Sequence, residues 1–395
     1  MTAALRLADL GVEVVLAEAA PEPMTDWRAS TFHGATLEVL EPTGVVADMH
    51  RLGLIARTFQ LRDRHEGLVA SFDFSVLAEE TRYPYRLQLN QQRLVGLLHD
   101  RLLTHPRVQL CFGTRLTGLE EDNDGVVAAL EGPGGPEEVR AAFLVGADGA
   151  SSTVRRELDI GFSGTTYRER FLIVSVAEDL GESLPDLAYV NYVADPVEWL
   201  FILRTPESWR VLFPVPEDES DDEALGDEAI ERRLQAVAPL PQPYRVLDRQ
   251  LYKVHQRVAD RFSSARALLM GDAAHVNSPI GGVGLNSGIH DASDAAVRLA
   301  RVLTEGSDAG EELAAYATLR RTVALEYVQR DTHANTMRLA ERDRERRARE
   351  LAAMAELPRQ PEQMMAYLRR VSLLEPLRRY GIGRPPVELA EASGR

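Results

Sequence analysis

The chain has 395 residues and a formal net charge of −16, from 45 basic and 61 acidic side chains. Its length is enough for about two domains around sizeable cores, and its acidity argues against nucleic acid or an anionic membrane as partner. Cys111 is the single cysteine, which excludes an internal disulfide and suits a reducing, cytoplasmic setting; no apolar run is long enough to span a bilayer.

In chain order, Thr2 to Leu10 reads as a helix stopped by Gly11. Val12 to Ala17 reads as a strand ending in Glu18, which together make the second half of a βαβ unit. A proline-punctuated loop follows to Arg28, then short helices at Thr36 to Leu40 and Val45 to Leu52 with a break at Pro42. From about 58 to 86 aromatic and polar residues alternate, as in Phe72-Asp73-Phe74, which predicts strands of a different sheet. Gln91 to Leu103 reads as a helix with Leu94, Leu97 and Leu98 on one face. Val126 to Leu130 and Val139 to Phe143 predict a hairpin. Phe143 to Gly146 is an apolar strand running into Asp148-Gly149, where Ser151 or Ser152 caps a helix carrying Val154, Arg155 and Leu158. Strand patterns dominate Phe171 to Val215, and the acidic Asp218 to Glu231 reads as an exposed loop and helix start.

The densest signal lies further on. Apolar Ala267 to Met270 predicts a buried strand, followed by Gly271-Asp272-Ala273-Ala274-His275, then Pro279, Gly282, Gly284, Asn286, Gly288 and Asp291. A helix starts near Leu285 or Asn286 and runs through Ile289, Ala292, Ala296 and Leu299. A strand, a carboxylate at its end, a loop almost without side chains and a helix amino terminus together let backbone N–H groups approach an anionic ligand. The remainder reads as helical, and the mixed-charge run Glu341 to Glu350 as a solvated helix face.

These two motifs, Asp148-Gly149 with Ser152 and Arg155 and the Gly271-Asp272 unit roughly 120 residues later, occur in the order found in one family. The chain resembles the group A FAD-dependent monooxygenases of the para-hydroxybenzoate hydroxylase type. The resemblance implies an α/β fold with a Rossmann-like FAD-binding domain, an inserted, mostly antiparallel substrate sheet and a helical carboxyl end. It assigns 1–57, 87–160 and 258–345 to the FAD domain, 58–86 and 161–257 to the substrate domain and 346–395 to the helical segment. FAD is the implied cofactor, NADH or NADPH the co-substrate, and an aromatic phenol and dioxygen the reactants, with oxygen transferred from a flavin hydroperoxide. Cofactor contacts are expected from Glu18 on the adenosine ribose, Arg28 along the pyrophosphate, Gln91, Asp148, Asp272 and Pro279, and from Gly284, Leu285 and Asn286 at the helix amino terminus. Arg155 and Arg257 are candidates for nicotinamide phosphates; no metal is expected.

The resemblance starts part-way into the first helix, so the family's first strand and GxGxxG loop have no counterpart, roughly fifteen residues in all. Residues 1 to 395 alone are therefore expected to be poorly stable and to hold FAD weakly, and a non-catalytic fragment stays open as an alternative. Oxygenation of a polycyclic or ketone substrate by the same chemistry also stays open, as does a homodimer. Trp27, Trp199 and Trp209 form no halogenase motif. Tyr189, Tyr192, Tyr252 and His255 are candidate bases for a phenol proton, and none is assigned.

Overall fold

The computed structural model describes residues 1–27, 29–184 and 186–384. Its largest element is an eight-stranded sheet, in spatial order His275–Val276, Val246–Ala259, Phe162–Val176, Trp209–Val215, Leu200–Arg204, Val190–Ala194, Thr58–Asp63 and Gly67–Asp73. All neighbours are antiparallel except Val190–Ala194 against Thr58–Asp63. Side chains alternate between its faces. Leu172, Val174 and Val176 pack with Ile230 and Leu234 of the helix Asp227–Val237, whereas Phe171 and Ile173 turn to the other face with Trp199. The helices Arg344–Glu356, Pro361–Val371 and Leu374–Tyr380 cover that second face, where Met364, Leu368, Leu373 and Leu374 share a core with Phe59 and Phe72.

Apart from this sheet the chain forms two separate parallel ladders, Val14–Glu18 with Val108–Phe112 and Leu144–Gly146 with Ala267–Leu269. The helix Thr2–Asp9 packs on the long helix Gly284–Ala300, and Ala3, Ala292 and Met270 meet Val145 of the second ladder. Val126–Gly132 and Gly135–Ala141 form the expected hairpin, extended by Arg115–Glu121.

A small third sheet, Thr31–His33, Arg86–Gln88 and Leu54–Ala56, lies between these bodies and was not apparent from the sequence. Strands of three residues are too short to show a period of two. Phe74, read as part of an alternating strand, instead opens a 3₁₀ turn, Phe74–Leu77, where the Asp73 carboxylate accepts from the Ser75 N–H. Among the described residues no helix is long and apolar enough to cross a membrane.

Candidate active site

The strand Ala267–Leu269 delivers the chain to Gly271, which adopts φ +55° and lies against Gly288 of the long helix. A Cβ on Gly288 would stand 3.3 Å from the Gly271 Cα, so the two glycines let strand end and helix meet backbone to backbone. Gly281 and Gly282 also take positive φ, +120° and +66°, and bring the loop onto the Thr31–His33 strand. The helix then begins at Gly284 with no side chain capping its amino end. Its first-turn amides are those of Gly284, Leu285 and Asn286.

Asn286 itself is completely buried and points back into the protein. Its Nδ2 donates to the carbonyls of Thr31 (2.8 Å) and Gly282 (2.5 Å), and its Oδ1 accepts from the His33 N–H (2.9 Å). The side chain is a clamp between loop and strand. Asp291 is a second clamp, accepting from the Gly271 N–H (3.0 Å), His275 Nε2 (2.8 Å) and Arg320 Nε (2.6 Å). Burial pushes its carboxyl up, but the charges of Arg320 and His275 and their hydrogen bonds outweigh this and hold it below the usual carboxylate range. His275 is thus a loop anchor, stacked on Phe262.

The remaining sequence candidates divide. Asp272 is exposed in the turn after the strand, and Pro279 is half-buried in the loop. Glu18 is exposed at its strand end, accepting from the Ala20 N–H at 2.8 Å. Gln91 opens the helix Gln91–Leu103, its N–H bonded to the Ala29 carbonyl. Asp148 caps the next helix, Thr153–Glu157: one oxygen accepts from the Ser152 hydroxyl and the other from the N–H groups of Thr153 and Val154. The carboxylate is exposed while it fixes this turn. Arg28 lies outside the described residues. Arg155 is buried, donating to the carbonyls of Ala273 (2.8 Å) and Ala150 (2.7 Å), and so ties the two motifs together.

Beside the Gly281–Val283 loop lies a pocket with about 590 Å³ of empty space, its mouth included. Phe59, Leu61, Phe72 and Tyr192 of the large sheet form one wall; Tyr327, Asn335, Leu339, Met354 and Tyr367 of the later helices form the other. Arg86, from the small sheet, closes one side. The rings form a cage: Phe59 and Phe72 stack at 4.7 Å between centroids, and Tyr367 tilts against Phe72 at 5.2 Å. Of the four candidate bases only Tyr192 lines this pocket; His255 bonds Thr166, and burial drives the Tyr252 hydroxyl above its ordinary range. Arg86, Tyr327 and Tyr367 were not singled out from the sequence. No motif surrounds them, and the pocket gathers residues more than 250 positions apart.

FAD fits this geometry. The uncapped seventeen-residue helix amino terminus, the side-chain-free Gly281–Gly282 approach and the exposed Asp272 and Glu18 carboxylates supply an oxyanion-facing dipole and hydroxyl acceptors of the kind a dinucleotide takes.

The fold and this paired arrangement of dinucleotide site and aromatic pocket define an FAD-dependent aromatic hydroxylase. Residues 1–331 match the family described as the FAD binding domain, and the chain belongs to it. The chain is 33% identical over 362 residues to para-nitrophenol 4-monooxygenase of Pseudomonas sp. (strain WBC-3), covering 89% of this chain and 88% of that one. Among solved structures it resembles p-nitrophenol 4-monooxygenase from Pseudomonas putida DLL-E4, with TM-score 0.90, 30% identity and coverage of 97% and 95%. Anhydrotetracycline hydroxylase from Streptomyces rimosus aligns with TM-score 0.78 and 29% identity, over 95% of this chain and 73% of that one. The protein is an FAD-dependent monooxygenase of aromatic substrates that uses NADH or NADPH and dioxygen.

Proposed function

We propose that the substrate is a small monocyclic phenol, hydroxylated on its ring, and that the work is done in the cytoplasm, where a half-buried free thiol such as Cys111 stays reduced. The observation that carries the substrate reading is the aromatic cage beside the glycine loop, closed over by the carboxyl-terminal helices. When bound, FAD would supply the redox chemistry, taking up hydride from the nicotinamide and passing one oxygen atom of dioxygen to the ring while the other leaves as water.

The protein's own part is positioning and exclusion. Phe59, Phe72 and Tyr367 give the pocket a ring-lined wall against which a flat substrate packs, and Leu61, Val283, Leu339 and Met354 keep water from it. The Tyr192 hydroxyl accepts from Arg86 Nη1 at 3.2 Å, which leaves its own proton to donate toward a substrate oxygen. The uncapped helix end at Gly284 to Asn286 would stabilise negative charge on the reduced cofactor. Cofactor contacts through Glu18, Gln91, Asp148, Asp272, Pro279 and these amides remain part of this reading, as does a contact from Arg28.

The test is turnover under labelled dioxygen with 4-nitrophenol, a hydroxyphenylpropionate and a hydroxylated polycycle. One labelled oxygen in the monocyclic products is expected. Label only in the polycycle would replace the substrate class, and unlabelled products throughout would remove ring oxygenation by this enzyme.

A further inference from the structure

The small sheet between the two bodies has one buried polar face. Antiparallel register sets Thr31 opposite Gln88 and His33 opposite Arg86, so these four side chains share a face, while Phe32 and Leu87 turn to the hydrophobic core with Leu37, Leu94 and Leu98. All four polar residues are buried, at 5%, 0%, 0% and 2% exposure for Thr31, Gln88, His33 and Arg86. Three of them carry a buried polar atom without a partner: Gln88 Nε2, His33 Nδ1 and Arg86 Nε. The face abuts the glycine loop, since His33 Nε2 donates to the Gly281 carbonyl at 3.0 Å.

Arg86 is the member of this face that lines the pocket. Its one polar contact among the described residues is the Tyr192 hydroxyl, and no carboxylate lies within ion-pair reach of it. Its guanidinium sits 4.4 Å from the centre of the Phe59 ring and 5.2 Å from that of Phe74. Ring contacts of this kind return only about 0.5–2 kcal/mol, whereas an uncompensated buried charge costs several. Every other charged side chain lining the pocket sits closer to a polar partner: Asp331 accepts from Arg370 at 2.8 Å, and Arg338 donates to Asn335 at 3.0 Å. A packing role at Arg86 would be met better by an apolar side chain of similar volume.

Resting on the proposed substrate reading, we infer that Arg86 is the anion-receiving and specificity-determining residue of the pocket. It binds an anionic oxygen carried by the aromatic substrate, an ionised phenol or a carboxylate, through Nε–H and its neighbouring N–H. Neutral His33, whose one N–H is spent on the Gly281 carbonyl, offers only the Nδ1 lone pair on this face, so the anion's donors come from Arg86.

The experiment is titration calorimetry on the FAD-loaded enzyme and its Arg86→Met and Arg86→Lys variants, with 4-nitrophenol above its pKa, 4-nitrobenzoate and the uncharged 4-nitroanisole as probes. Arg86→Met should weaken binding of at least one anion by about 30-fold or more, leave 4-nitroanisole unchanged, and melt no lower than the parent; Arg86→Lys should restore part of the affinity. Loss confined to 4-nitrophenol assigns the oxygen to a phenolate, and loss confined to 4-nitrobenzoate to a carboxylate. Equal anion affinities in parent and Met variant, equal loss of the anisole, or loss of FAD with anion binding intact would each overturn the inference. Parent enzyme that binds these anions through Arg86 yet hydroxylates no phenol would leave the anion site standing and remove the substrate reading.

Discussion

A buried polar side chain either completes a network or leaves a group unsatisfied, and two of them, the Asn286 clamp of the glycine loop and His290 beside Thr36, show how much depends on completion. Asn286 makes three hydrogen bonds with no exposure to water. Asn286→Ala strands two carbonyls and one N–H, so unfolding free energy should fall by about 2–4 kcal/mol, measured by urea titration. Asn286→Asp should be no better, because an oxygen replaces the donor that Thr31 and Gly282 require. His290 sets a pH limit. Burial, then the charge of Arg320, lowers it to about 3, so the folded protein keeps it neutral while the unfolded chain takes up a proton near pH 6.5. Its contribution is therefore complete above that pH and is lost progressively as pH falls toward 3. Melting temperature should drop across that window in the parent, and His290→Gln, which retains a partner for the Thr36 hydroxyl, should flatten the slope. A parallel slope in both proteins would assign the acid sensitivity to other groups.

At the scale of elements, the strand–loop–helix unit around Gly271 depends on backbone proximity. Gly282 has φ +66°, and a Cβ there would come within 3.2 Å of the Thr31 Cβ. Gly282→Ala should cost about 1–3 kcal/mol from the strained conformation alone and weaken FAD retention, read from the flavin absorbance that remains after gel filtration. This unit was legible in the sequence because glycine, proline and asparagine at fixed spacing report backbone geometry directly. The helix Gln91–Leu103 was equally plain, since its leucines recur at helical spacing. Shorter elements were not. Thr31–His33 and Leu54–Ala56 span three residues each, and their pairing with Arg86–Gln88 joins segments far apart in the chain, as Thr31 with Gln88 and Ala56 with Arg86. Asp148 was found for its motif, but only the structure shows both its oxygens accepting from the start of the next helix. Arg86 carried no signal at all, because its burial is a tertiary fact.

On the scale of the whole molecule, the pocket has two walls built by different means. The sheet wall is held by ladder hydrogen bonds, on both sides for the strands of Phe59, Leu61 and Tyr192 and on one side for the edge strand of Phe72, while the other wall is a set of helices held down by apolar contacts such as Leu368, fully buried where Pro361–Val371 meets the sheet. Tyr367, Arg370 and Val371 of that same helix line the pocket. A site that must keep water from a reactive oxygen donor therefore relies on the seating of one helix. Leu368→Ala should cost about 2–5 kcal/mol of stability and, because the cavity opens beside the pocket, should raise the share of NAD(P)H oxidised without hydroxylated product. Stability loss alone could have the same effect, so the comparison is Leu234→Ala. Leu234 is 1% exposed and packs under the opposite face of the same sheet, in the cluster with Ile230 and Trp209. It should destabilise to a similar degree while product formed per NAD(P)H consumed stays at the parent value. If both variants uncouple equally, exclusion of water is a property of global stability rather than of the carboxyl-terminal wall.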